Sequence, residues 1–169
     1  MGIEDYRVAL RSRTVPAQVV REWVRRQPNT TRDDGMLSRG NDYFRIDDGN
    51  HVLEVEVSKA DPTEVSVRFA LCNPPSVEPA FLALVRELVT TFGMEIHDQE
   101  AADADPWWLP PERFEQFQES TLGAIPRRRA DWVTQFGPEQ FPAGCDDTWQ
   151  WVFERERASA PPVLVTNAG

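Results

Sequence analysis

The chain has 169 residues, 40% of them hydrophobic, and a formal net charge of −10 at pH 7. That is apolar content enough for one folded domain, and no apolar run is long enough to span a bilayer. The acidic balance argues against nonspecific binding to DNA, RNA or anionic lipid, and for a basic protein partner. Met1-Gly2-Ile3-Glu4-Asp5 lacks the basic start and apolar middle of a signal peptide, and two cysteines, Cys72 and Cys145, make no disulfide framework. A soluble protein of a reducing cytoplasm is expected. Arg supplies 17 of the 18 cations, with Lys59 as the exception, a bias that fits a GC-rich bacterial genome.

In chain order, Tyr6, Val8 and Leu10 alternate with Arg7, Ala9 and Arg11 and predict a first strand. Ile3, Tyr6 and Leu10 also fit helical spacing, so a helix there is the alternative. Thr14 can cap a helix with Pro16 in its first turn, Val19, Val20, Trp23 and Val24 as its stripe and Pro28 as its end. Residues 29–41 are poor in apolar side chains and predict a loop. Tyr43-Phe44-Arg45-Ile46 and Leu53, Val55 and Val57 read as two strands joined at Asp48-Gly49, a pair that accepts positive φ in a tight hairpin. Val65, Val67, Phe69 and Leu71 alternate with polar or small residues in a further strand, reached through Asp61-Pro62.

Pro74-Pro75 stops that strand, Ser76 can cap the next helix, and Val77, Phe81, Leu84, Val85, Leu88 and Phe92 make one apolar stripe. Gly93 supplies its left-handed cap, and Met94-Glu95-Ile96-His97 returns as a strand. Beyond Asp98 the spacing predicts a helix over 112–122, a short helix from Arg127 carrying Trp132, Val133 and Phe136, and a last element capped by Asp146 or Asp147. That element is a helix with Trp149, Val152 and Phe153 on one side, or a strand in which Trp149, Trp151 and Phe153 alternate. The expected fold class is α+β. A mostly antiparallel sheet is covered by helices on one face, a ferredoxin-like sandwich variant by architectural analogy, with a C-terminal helical extension. Residues 1–98 are the core, 99–158 an acidic loop and helical extension of the same domain, and 159–169 a loose tail.

Glycine-rich phosphate loops, a nucleophile elbow and the zinc-protease helix motif are all absent from the sequence. His51 and His97 could meet with Asp47 or Asp98 as a metal site, but their spacing matches no metal motif, and edge histidines are the commoner explanation. Cys72, His97 and Asp98 hold the residue types of a thiol nucleophile, base and orienting carboxylate, against which stands an ordinary buried cysteine. Glu54 and Glu56 read as the wet face of a sheet, and Arg127 to Arg129 as partners of the chain's own carboxylates. No catalytic residue, metal or cofactor is assigned.

Residues 98–119 carry seven acidic side chains against Arg113 alone, with two adjacent tryptophans among them. Adjacent residues cannot both face one core, so one of Trp107 and Trp108 is expected to be partly exposed. Aromatic anchors in an acidic surround suit a basic protein surface: the anchors hold and the carboxylates steer. Asp98, Glu100, Asp103, Asp105, Trp107, Trp108 and Glu112 are therefore the candidate partner-binding residues. The expected function is a non-enzymatic protein-binding module, of the kind of a bacterial cytoplasmic immunity or antitoxin-like protein that blocks a basic effector. A small hydrolase using Cys72, His97 and Asp98, and a structural or regulatory subunit dimerising through a sheet edge, are the competing expectations.

Overall fold

The computed structural model describes residues 4–33, 40–60, 62–98 and 108–159. Its elements in order are β1 (Asp5–Ser12), α1 (Ala17–Arg25), β2 (Thr30–Asp33), β3 (Asn41–Asp47), β4 (Val52–Ser58), β5 (Thr63–Ala70), α2 (Val77–Phe92), β6 (Glu95–Asp98), a 3-10 turn (Pro111–Arg113), α3 (Phe114–Phe136) and α4 (Cys145–Ser159). The six strands lie in the order β2-β3-β4-β5-β1-β6, every pair antiparallel. The fold class is α+β, as expected.

Register sets the two faces. Tyr6 pairs with Phe69, Val8 with Val67 and Leu10 with Val65, and across β4 Val55 pairs with both Val67 and Phe44. A period of two then gathers these side chains on one face, where α1 and α2 supply Val20, Val24, Phe81, Val85 and Leu88 to the same buried core. Trp23 of α1 meets Phe92 of α2 edge-on, with ring centroids 5.7 Å apart. Gly93 ends α2 at φ 58° and Gly49 turns the β3–β4 hairpin at φ 84°, both in the left-handed region.

Several local expectations give way. Residues 5–12 form the strand that alternation predicts and not the alternative helix, because pairing with both β5 and β6 satisfies the backbone on either side. The predicted loop at 29–41 contains β2. Its four residues, Thr-Thr-Arg-Asp, lack apolar alternation because they form the outermost strand, next to β3. Thr14 does not cap α1; Pro16 holds the N-cap position, and Ser12 Oγ accepts the amides of Thr14 and Val15 at 3.4 and 3.2 Å. Val19 is exposed, outside the stripe. Ser76 gives no side-chain cap either; the chain enters α2 through amides of Val77 and Glu78 donated to the carbonyls of Pro74 and Pro75.

The two short helices expected after residue 112 are one, α3, running through Pro126. Proline deprives the Leu122 carbonyl of its helical donor, and Leu122, Gly123 and Pro126 are all exposed, so water can take its place. Residue 159 ends α4, and the rest of the expected tail lies outside the described residues.

Leu88 is fully buried at the centre of the α2 stripe. Leu88→Ala should lower unfolding stability by about 2–5 kcal/mol through lost burial and a residual cavity. An unchanged urea midpoint would contradict the packing described.

Candidate functional site

The acidic segment leaves and rejoins the sheet at one edge. Asp98 ends β6 opposite Val8. Eleven residues later Leu109 comes back to Ile96 of the same strand, each amide donating to the other's carbonyl at 2.7 and 2.8 Å. Glu100, Asp103, Asp105 and Trp107 fall on 99–107, outside the described residues, as does the side chain of Asp98. Trp108 is half-buried: the Arg11 guanidinium lies 4.1 Å from its ring centroid and the His97 ring 5.3 Å away. Arg11 is itself held by Glu95, with Nε and Nη2 donating to Oε2 at 2.9 and 2.7 Å. Trp108 is thus a cation–π lid on the sheet edge. Glu112 is exposed in the 3-10 turn.

The other expected constellations do not assemble. β5 and β1 lie between β4 and β6, so His51, which precedes β4, and His97 stand apart. His51 sits 3.6 Å from Asp48. Among the described residues no group of three or more His, Cys, Asp or Glu is placed to hold a metal ion. Cys72 does not meet His97. Its thiol lies 3.3 Å from Thr148 Oγ1, and since Thr148 spends its one hydroxyl proton on the Gly144 carbonyl, the thiol is the donor. Burial raises the pKa of both cysteine thiols, and for Cys145 the charge of Glu54 adds to it, which disfavours the thiolate at each. Arg129 donates to Glu78, as the acidic context suggests, but also to the carbonyls of Leu71 and Asn73; Arg128 reaches the Asp5 carbonyl.

Glu54 is not on a wet face. It is 2% exposed, because the first turn of α4 closes over that end of the polar side of the sheet. Glu54 Oε2 accepts the Cys145 amide at 2.8 Å and lies 3.3 Å from Arg68 Nε. A carboxylate from β4 thereby serves the Cys145 amide at the start of α4. Desolvation is the larger effect on Glu54 and raises its pKa, against the pull of Arg68 and the Cys145 amide. Glu56, two residues on, does line a groove with Arg7 and Glu64, where it accepts from Asn41 at 2.6 Å.

α4 carries the feature that periodicity misplaced. Its inward side is Cys145, Thr148 and Val152, and Trp151 stacks on Trp132 of α3 at 5.9 Å. Trp149 and Phe153, assigned to that side by spacing, are 62% and 50% exposed. They sit one position round from Thr148 and Val152, and about 100° turns a buried row into an exposed one. The missed signal is Thr148, a polar residue fully buried because Gly144 and Cys72 satisfy its hydroxyl. Two aromatic rings one turn apart thus stand on the outside of a helix whose first turn holds Asp146 and Asp147.

Comparison of the chain with family models, curated proteins and solved structures finds no match. Among the described residues no helix is long and apolar enough to cross a membrane.

The raised pKa of Glu54 fixes the sign of one pH effect. The folded state holds the Glu54 proton to higher pH than the unfolded state does, so its contribution to stability falls as pH rises through and above the ordinary glutamate range. Glu54→Gln keeps an acceptor for the Cys145 amide and cannot ionise. The stability of wild type relative to this variant should therefore decline with rising pH in denaturant titrations. A difference that is flat or rises with pH would contradict the buried, desolvated carboxylate.

Proposed function

We propose that this chain is a non-enzymatic protein-binding module of the immunity or antitoxin type, which blocks a basic effector in the bacterial cytoplasm. The observation that carries the proposal is the exposed pair Trp149 and Phe153 on α4. Large aromatic rings are costly to leave in water and are enriched at the centres of protein interfaces. Asp146, Asp147 and Glu154 accompany them on the same helix, and the chain as a whole carries −10. A basic partner surface meets both the rings and the charge.

The acidic segment keeps a part in the proposal. Trp108 is committed to Arg11 and His97, so anchoring passes to α4, while Asp98, Glu100, Asp103, Asp105 and Glu112 supply long-range attraction. Among the described residues the Cys72 thiol, which the catalytic alternative requires beside His97, is bonded to Thr148.

The test is a pull-down from the native host with wild type and with the double variant Trp149→Ala/Phe153→Ala, followed by kinetics on whatever is retained. A basic protein held by wild type should dissociate faster from the variant, by roughly 2 kcal/mol or more in binding free energy. Neutralising Asp98, Glu100, Asp103 and Asp105 should instead slow association and reduce its dependence on salt. Wild type that retains no protein, or a partner bound equally by the double variant, would overturn the assignment. Sedimentation of wild type as a dimer that the double variant abolishes would assign the rings to self-association.

A further inference from the structure

Four arginines on the polar side of the sheet each have a carboxylate. Arg7 Nη2 donates to Asp5 at 3.2 Å, Arg68 Nε lies 3.3 Å from Glu54, Arg45 Nη1 donates to Asp147 at 2.7 Å, and Nε and Nη2 of Arg11 both go to Glu95. Two carboxylates of the same side are left over. Neither Glu56 nor Glu64 forms an ion pair with any described residue.

Register makes the case of Glu64 specific. Arg11 stands directly opposite it across β1 and β5, yet the guanidinium turns to the far edge, where Glu95 holds it and it stacks on Trp108 at 4.1 Å. Opposite charges that face each other across antiparallel strands attract, and here the Trp108 lid takes the cation away. Glu56 faces Ser66 on β5 and Tyr43 on β3, neither of which can neutralise it. Its Oε1 accepts the Asn41 side-chain amide at 2.6 Å. It is half-buried, and a carboxylate partly withdrawn from water gains from a counter-charge brought to it.

The two carboxylates line one cleft of about 240 Å³, together with Arg7, Asn41, Ser58 and Ser66. Its floor is low because Ala9 and Ser66, opposite each other in β1 and β5, are small. Ser66 Oγ is buried and has no hydrogen-bond partner. A hydroxyl shut from water and left unpaired costs free energy that an entering polar group can relieve.

We propose that this cleft receives the guanidinium of an arginine side chain from the basic partner. The proposal rests on the partner reading above and adds a second docking point, separate from the aromatic pair on α4. The volume lies below the roughly 300–1,000 Å³ of pockets that take drug-sized ligands, and suits one side chain. A planar guanidinium offers enough N–H donors for both carboxylates and for Ser66 Oγ. It is also more weakly hydrated than the ammonium of lysine, so it loses less on entering a cleft with half-buried walls.

Titration of the full chain with N-acetyl-arginine amide, followed by backbone NMR at neutral pH and constant ionic strength, tests the cleft without the partner. N-acetyl-citrulline amide, similar in shape but uncharged, and N-acetyl-lysine amide are the comparisons. Saturable shifts are expected at Ala9, Glu56, Glu64 and Ser66 with the arginine compound, weaker binding with the lysine compound and no saturation with the citrulline compound. Glu64→Gln, at an exposed position, should leave the unfolding midpoint unchanged and weaken binding about threefold. Glu56→Gln keeps an acceptor for Asn41 and should weaken binding about tenfold. Absence of a saturable response at these amides, equal binding of the citrulline compound, or affinity unchanged in both variants would overturn the proposal. Lysine compound bound as tightly as arginine would overturn the choice of guanidinium. Where wild type retains a partner, Glu56→Gln/Glu64→Gln should lower its affinity, and an unchanged complex also overturns the docking. Retention of no partner defeats the module reading instead, and the titration then decides the cleft by itself.

Discussion

The structure depends on how one buried asparagine ends β5. Asn73 has no solvent exposure, and each of its side-chain hydrogen-bonding groups is used: Oδ1 accepts the Val52 amide at 2.8 Å, and Nδ2 donates to the carbonyls of Ala70 at 2.9 Å and Ala143 at 2.8 Å. Val52 opens β4, Ala70 closes β5, and Ala143 lies just ahead of α4. A single amide group therefore ties two central strands to the C-terminal extension. Its neighbours tighten the joint. Arg129 of α3 donates to the carbonyls of Leu71 and Asn73, both at 2.7 Å, and Phe141 donates to that of Cys72 at 2.8 Å. A chain leaving a sheet through the protein interior exposes backbone groups that water cannot reach, and each left unpaired costs about 1–3 kcal/mol. The extension is in place because it supplies the partners.

That constraint fixes what α4 can show to solvent. With Thr148 on Cys72 and Cys145 on Glu54, the helix cannot roll about its axis without losing buried hydrogen bonds. Apolar packing alone would permit a small rotation that drew Trp149 inward, since aromatic rings adapt to many neighbours. Directional contacts do not. The outward placement of Trp149 and Phe153 thus follows from polar groups on the opposite side of the helix. Glu54 is the cost of the arrangement, a carboxylate desolvated so that the start of α4 has an acceptor.

The elements legible in the sequence are those in which hydrophobic period and turn chemistry agree. β4, β5, the Gly49 hairpin, α2 and its Gly93 cap all combine the two, and the structure contains them nearly to the residue. β2 was not legible, because a short polar strand and a loop share a composition and only pairing with β3 separates them. α3 was read as two helices because Pro126 is a local breaker whose cost is met by solvent. Of the candidate binding residues, the sequence offers Trp107 or Trp108 as an anchor because they are adjacent, while the stacking of Trp108 with Arg11 depends on β1 lying beside β6, a long-range fact. Asn73 and the Asp42 cluster were invisible for the same reason. Nothing in the order of Arg21, Arg32, Asp42 and Lys59 announces that the fold gathers them on one carboxylate.

Native-state hydrogen exchange tests most directly whether the Asn73 joint makes core and extension one cooperative unit. The amides of Thr148 and Val152 in α4 should be protected to the same free energy as those of Val85 and Leu88 in α2, opening only with global unfolding. Exchange of the α4 amides through a separate opening, well below the free energy of the core, would contradict it. The aromatic pair would then stand on a helix that comes and goes.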